Sequence, residues 1–99
     1  MDVKLVDHGK EGELIIIGSL DARVSGKADE LFRKMSERFT DINLNMKDME
    51  YISSAGIRTI RNLYISVNKN GGKLTLSNVN ENVMEVFEIT GLAGLLNIK

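Results

Sequence analysis

The chain of 99 residues contains no cysteine, no proline and a single histidine, His8. Without cysteine there are no disulfides and no thiolate metal sites, so a hydrophobic core must hold the fold together. Without proline, no segment has the composition of a rigid spacer between domains. One histidine near the N-terminus is a poor basis for a catalytic triad or a metal cluster. We therefore expect a solvated loop histidine, no catalytic residue, no metal and no cofactor.

Charge and hydropathy exclude further classes of protein. Lysine and arginine number 13 against 14 acidic residues, a net charge of −1, which provides no basic surface for nucleic acid or anionic lipid. The longest aliphatic run, residues 14–17, is far too short to span a bilayer, and residues 1–10 lack the apolar core of a signal peptide. We expect one domain over residues 1–99, located in the cytoplasm, that neither binds nucleic acid directly nor inserts into a membrane.

Hydrophobic periodicity predicts four strands. Residues 3–6 and 13–18 flank a glycine-containing turn and should pair as a hairpin, and the continuous apolar run of the second strand predicts burial on both of its faces. Alternation with a period of two predicts further strands at residues 41–46 and 73–77. Residues 47–53 are expected to be a connection without regular structure.

Helical periodicity predicts three helices, beginning near Ser25, Ala55 and Glu81, with Ser25 either a helix N-cap or, with its neighbours, a short turn before the helix. The apolar tail, residues 92–98, should pack back on the body of the domain. The resulting order, ββαβαβα, predicts an α/β fold with a mixed four-stranded sheet. Its first strand should be antiparallel at an edge, and helices should cover its hydrophobic faces.

The most informative stretch is residues 51–57, YISSAGI, at the start of the second helix. Ser53 or Ser54 can cap backbone N–H groups of the first turn. Gly56 lowers helix propensity by up to about 1 kcal/mol relative to alanine, which indicates that a backbone, ligand or partner approaches closely. A phosphate on either serine would be held by the N–H groups and partial positive charge of the helix N-terminus. The serines are therefore either simple helix caps or a regulatory phosphorylation site.

Three segments, in this order, resemble the STAS domain family and together span almost the whole chain. Residues 18–21 (GSLD) are similar to the family's G-x-L-D motif, and residues 52–57 (ISSAGI) to its D-S-[SA]-G-[LI] loop and helix start. Residues 70–76 (NGGKLTL), followed by Val83, Phe87 and residues 91–92, resemble the last strand and helix of the family. The sequence differs from the family pattern at Ser53 and Asn45, since many members have aspartate at these two positions.

The resemblance to the anti-sigma factor antagonist branch implies a binding module and not an enzyme. The implied partner is both an anti-sigma factor and a serine kinase, and it is this partner that binds ATP. The unphosphorylated domain sequesters the partner and frees a sigma factor, and a phosphatase resets the cycle. The resemblance implies that Ser54 is the phosphorylated residue, with Ser53 as the second choice, and that Asp21 is a nearby loop acid.

Arg58 and Arg61 lie off the apolar stripe of the second helix, within two turns of Ser54. They form either a patch that faces the partner or a solvated helix face. The partner-binding residues predicted in this way are Asp21, Ser53, Ser54, Gly56, Arg58 and Arg61. STAS domains are also subunits of lipid-transport and stress-sensing assemblies, which provides an alternative function without phosphorylation.

Overall fold

Six strands and three helices make up the fold in the computed structural model, which describes every residue from Met1 to Lys99. The strands are β1 (Asp2–Asp7), β2 (Glu11–Leu20), β3 (Asp41–Asn45), β4 (Met49–Ile52), β5 (Leu74–Ser77) and β6 (Asn97–Ile98). The helices are α1 (Ser25–Arg38), α2 (Ser54–Lys69) and α3 (Glu81–Ile89), and a short 3-10 turn spans Leu92–Gly94. The mixed α/β class and all three helix positions are confirmed.

The sheet has the order β1-β2-β3-β5-β6, with β4 placed beside the end of β2. β1 pairs with β2 as an antiparallel hairpin, and the pairs β2–β3, β2–β4, β3–β5 and β5–β6 are parallel. The helices between the parallel strands supply the crossovers that such pairing requires. The predicted antiparallel edge strand and the parallel body of the sheet are therefore both found.

The strand count exceeds the prediction because β2 is much longer than β3. Residues 11–15 of β2 pair with β3, while residues 18–20 pair with β4, after a register shift at Gly18. Gly18 takes a positive φ of 91°, which suits glycine at such an irregularity. The prediction that residues 47–53 form an irregular connection was wrong, since most of it is strand. β6 in the tail is the second addition.

Helices cover one face of the sheet and leave the other open. Leu14, Ile16, Ile42, Leu44 and Leu76 point to the covered face, where they join helix side chains in one buried cluster. The opposite face carries polar residues and the partly exposed Ile15 and Ile17; Ile17 is 40% exposed. The prediction that β2 is buried on both faces was therefore wrong.

Two details of the ends of helices matter for the site. Of the two roles open to Ser25, the cap is not found, since the N-cap of α1 is Val24. The Ser25 hydroxyl instead donates to the Ala22 carbonyl at 3.1 Å, across the turn that precedes the helix. The turn at residues 21–24 therefore starts α1 without a side-chain cap. No helix combines the length and the apolarity needed to cross a membrane.

Candidate functional site

The parallel strands β2 and β4 end side by side, directly before α2. Leu20 and Ile52 are partners in the register, and the Ser53 N–H donates to the Leu20 carbonyl at 3.0 Å. Asp21 and Ser53 are therefore the first residues beyond two paired strands. In α/β sheets the carboxyl ends of parallel strands are the common place for binding sites. We call the residues collected here, Asp21, Ser53, Ser54, Gly56, Arg58 and Arg61, the helix-start site.

Ser53 is the N-cap of α2. Its side-chain oxygen accepts a hydrogen bond from the Gly56 N–H at 3.3 Å, and its carbonyl accepts from the Ile57 N–H at 2.9 Å. The residue is half-buried and extended, with φ −97° and ψ 175°, as N-caps usually are. The sequence left open which of the two serines caps α2, and the structure gives this role to Ser53.

Gly56 is buried where the first turn of α2 crosses the end of β2. A Cβ at this position would collide with the Leu20 carbonyl oxygen and would lie 2.9 Å from side-chain atoms of Leu20 and Ile52. The close approach expected from the sequence is therefore made by another backbone. Thr59, the buried polar residue of the core, donates to the Gly56 carbonyl at 2.7 Å and secures the same turn.

Ser54 is the first residue of α2 and is exposed. Arg58 and Arg61 follow one and two turns later on the same side of the helix, and both are exposed. None of these three side chains takes part in a hydrogen bond or salt bridge within the chain. Since α2 contains no acidic residue, this side of the helix is purely cationic.

Asp21 is held in place by a residue that the sequence did not single out, Arg23. The Asp21 carboxylate accepts from the Arg23 backbone N–H at 3.0 Å and from the guanidinium Nη2 at 3.0 Å. The hydrogen bond from the Arg23 side chain holds the pKa of Asp21 below its ordinary value. The Arg23 side chain is 85% exposed, so the ion pair with Asp21 lies at the surface. The sequence did contain a signal for this ion pair, namely a basic residue two positions after the aspartate that follows β2.

Asn45 does not belong to the helix-start site. It lies on the open face of the sheet, where its Nδ2 donates to Glu13 at 3.0 Å and its Oδ1 accepts from Asn78 at 3.0 Å. The second Glu13 oxygen lies 2.8 Å from His8 Nε2. We call His8, Glu13, Asn45 and Asn78 the sheet-face cluster. The hydrogen bonds from His8 and then from Asn45 lower the pKa of Glu13.

The helix-start site is a surface and not a pocket. Neither Ser53 nor Ser54 lines any of the three cavities of the chain. His8 contacts Glu13 in the sheet-face cluster, so no imidazole lies beside either serine as a base. No group of three or more histidine, aspartate or glutamate side chains is placed to hold a metal ion. The arrangement offers an accessible hydroxyl at a helix N-terminus, with two exposed arginines in the next two turns of the same helix.

The chain belongs to the STAS domain family, whose family model matches residues 6–99. It is 26% identical over 98 residues to the anti-sigma-B factor antagonist of Bacillus subtilis (strain 168), covering 99% of this chain and 90% of that protein. A crystal structure of a protein from Thermotoga maritima has 25% identity and a TM-score of 0.86, covering 98% and 83% of the two chains.

A more distant structure has the same fold. The Bacillus cell fate determinant SpoIIAA in its phosphorylated form has a TM-score of 0.77 at 16% identity, covering 99% of this chain and 91% of that one. The resemblance read from residues 18–21, 52–57 and 70–76 is thus confirmed, both for the family and for its anti-sigma factor antagonist branch.

Proposed function

We propose that this STAS domain is an anti-sigma factor antagonist whose binding is switched by phosphorylation of Ser54. The unphosphorylated domain binds an anti-sigma factor that is also a serine kinase, and so frees a sigma factor. The kinase brings the ATP, and a phosphatase restores the hydroxyl. The domain itself is a substrate and a binder, without catalytic residues. Its relatives named anti-sigma-B factor antagonist support the class of partner.

The observation that carries this proposal is the different use of two adjacent serines. Ser53 is half-buried and its oxygen is engaged with the Gly56 N–H, whereas Ser54 is exposed and has no partner within the chain. A kinase that modified Ser53 would have to displace a helix cap. Modification of Ser54 requires no such rearrangement, which favours Ser54 as the acceptor.

A phosphate on Ser54 would meet a favourable local environment. The Ser54 and Ala55 N–H groups occupy the first two positions of α2, so neither has a helical acceptor. Together with the positive end of the helix dipole, they can hold phosphate oxygens without unfolding the turn. The modification adds about −1.5 to −2 charges at neutral pH. It converts the cationic helix-start site into a mixed or negative surface, which explains why a partner that docks there would be released.

Binding measurements with three variants test this proposal. The partner is the ATP-binding kinase recovered with the purified domain, and its affinity for each variant is measured by calorimetry. Ser54→Asp should weaken binding, although one carboxylate carries only part of the charge of a phosphate. Ser54→Ala should bind as the unmodified domain does. Ser53→Asp is the matched control, because aspartate is an equally good N-cap and adds the same single charge one residue away.

The expected pattern is a clearly larger loss of affinity with Ser54→Asp than with Ser53→Asp, which adds the same charge to the same site one residue away. Equal losses in both variants would mean that general negative charge, and not the Ser54 position, controls docking. Unchanged affinity in both would remove the helix-start site from the interface.

A further inference from the structure

A second surface feature lies beyond the helix-start site, between β4 and α3. It is a groove of about 210 Å³ whose lining is mainly hydrophobic. The lining residues are Glu50, Tyr51, Ile52, Asn82, Val83 and Val86. None of them belongs to the helix-start site as defined above.

The groove runs along the edge of β4. Successive side chains of a strand point to opposite faces, so a cavity that touches the consecutive residues Glu50, Tyr51 and Ile52 follows the strand edge. β4 pairs only with β2, which leaves its other edge without a neighbouring strand. At one end the Asn80 side chain donates to the Met49 carbonyl at 3.0 Å, which closes the groove there.

Exposed apolar side chains accompany this free edge. Tyr51 is 57% exposed although its neighbour Ile52 is buried. On α3, Ile89 follows Val86 by three residues, which places both on one side of the helix, and Ile89 is 78% exposed. An unpaired strand edge beside a helix with apolar side chains is the arrangement to which extended peptides add as an extra strand.

The charged residues identified at the groove are acidic. Glu50 is part of the lining, and on α3 the exposed Glu85 directly precedes the lining residue Val86. Between Lys73 and Lys99 the sequence contains no lysine, arginine or histidine. The surface is therefore the electrostatic opposite of α2, and it favours a cationic occupant.

We propose that the groove between β4 and α3 binds an extended, basic segment of a partner protein, which adds as a strand to the edge of β4. An apolar side chain of that segment enters the groove against Tyr51 and Val86, and flanking lysine or arginine side chains face Glu50. Main-chain hydrogen bonds to β4 fix the register, and the alternation of apolar and basic residues provides the specificity.

The probe for this proposal is an acetylated and amidated pentapeptide of alternating lysine and leucine, with lysine at both ends. Titration into the isotope-labelled full chain should shift the amide resonances of residues 50–52 and 82–86. Tyr51→Ala and Glu50→Lys should each weaken binding by about five- to tenfold, the range expected for loss of a partly desolvated aromatic or charged contact. Glu88→Lys makes the same charge change on the far side of α3 and should alter affinity by less than about twofold.

Two altered peptides sharpen the test. Replacing the lysines by glutamate should abolish binding. Alternate N–H groups of a strand face opposite edges, so N-methylation should weaken binding more at one of two adjacent residues, the central lysine or the leucine after it, than at the other. Shifts confined to α2 or to the open sheet face, or equal affinity in Tyr51→Ala, would overturn the proposal. So would a dimer in sedimentation that Tyr51→Ala dissociates, since a second copy would then cover the groove. Thermal unfolding of each variant confirms that the fold is retained, and Glu50→Lys remains informative if Tyr51→Ala destabilises it.

Discussion

Two polar regions of the molecule use similar residues in opposite ways. In the sheet-face cluster, Glu13 and Asn45 bond to one another and to His8 and Asn78, so their polar atoms are engaged within the chain. In the helix-start site, Ser53 is engaged but the adjacent Ser54 is exposed and has no internal partner. Polar groups that are hydrogen-bonded within the chain are accounted for by their contribution to the stability of the fold. An accessible hydroxyl at a helix N-terminus is available to a partner or a kinase.

The largest expected effect comes from Gly56, because the first turn of α2 packs directly against the end of β2 at this residue. Gly56→Ala puts a methyl group against the Leu20 carbonyl oxygen and should lower the free energy of unfolding by about 2–3 kcal/mol, as overpacking of a tight contact does. Gly26→Ala in α1 is the control, since no atom lies near its Cβ position. This variant should be neutral or stabilising, by up to about 1 kcal/mol. Urea denaturation of both measures the contrast, and equal effects would contradict the role given to Gly56.

The next effect separates the two serines by stability alone. Ser53→Ala removes the cap on the Gly56 N–H and should destabilise the chain by about 1 kcal/mol. Ser54→Ala removes no internal contact and should change the free energy of unfolding by less than about 0.5 kcal/mol. Chemical denaturation curves provide both values. A larger cost for Ser54→Ala would show that the capping assignment is reversed.

Arg58 provides a test of the cationic surface. Arg58→Glu should weaken partner binding by about five- to tenfold, because it replaces an attraction with a repulsion at an exposed site. Its stability should change by less than about 0.5 kcal/mol. Lys69→Glu, at the other end of α2, makes the same change in net charge. If both variants bind equally well in calorimetry, Arg58 does not belong to the interface.

The smallest effect concerns pH and the sheet-face cluster. Because the folded-state pKa of Glu13 lies below its ordinary value of 4.5, its hydrogen bonds stabilise the fold fully above that pH. This contribution is lost as the pH falls through the lowered pKa, when the folded carboxylate is protonated. Glu13→Gln should therefore flatten the dependence of thermal midpoint on pH below about 4.5. An unchanged acid profile would mean that Glu13 makes no net contribution.

The sequence predicted the order of elements well because its periodicity is clear in each helix and in β3 and β5. It could not predict β4. Residues 49–52 are buried at both ends and exposed in the middle, which is not a period of two. They form a strand because β2 extends beyond β3 and offers a free edge there. That cause lies in the pairing of distant segments and not in the local residues.

The burial of β2 and the role of Ser25 were both decided by features outside the local pattern. The apolar run of β2 indicates a buried strand, but Ile15 and Ile17 face the uncovered side of the sheet, and only the topology decides on which side the helices pack. At Ser25, a serine before a helix fits the cap pattern, yet the turn after Asp21 leaves Val24 in that position. The start of α2 was predicted more closely because two adjacent serines and a glycine leave few positions at which the helix can begin. Which serine caps, and the pairing of Arg23 with Asp21, depend on side-chain geometry.

The measurement that tests the central proposal most directly is the location of the phosphate. The full chain is incubated with its kinase partner and ATP, and fragment mass spectrometry then identifies the modified residue. We expect phosphate on Ser54 alone, and none in the Ser54→Ala variant, which should still bind the kinase. Phosphate on Ser53 alone would contradict the assignment, and binding without phosphate on either serine would contradict the phosphorylation switch itself.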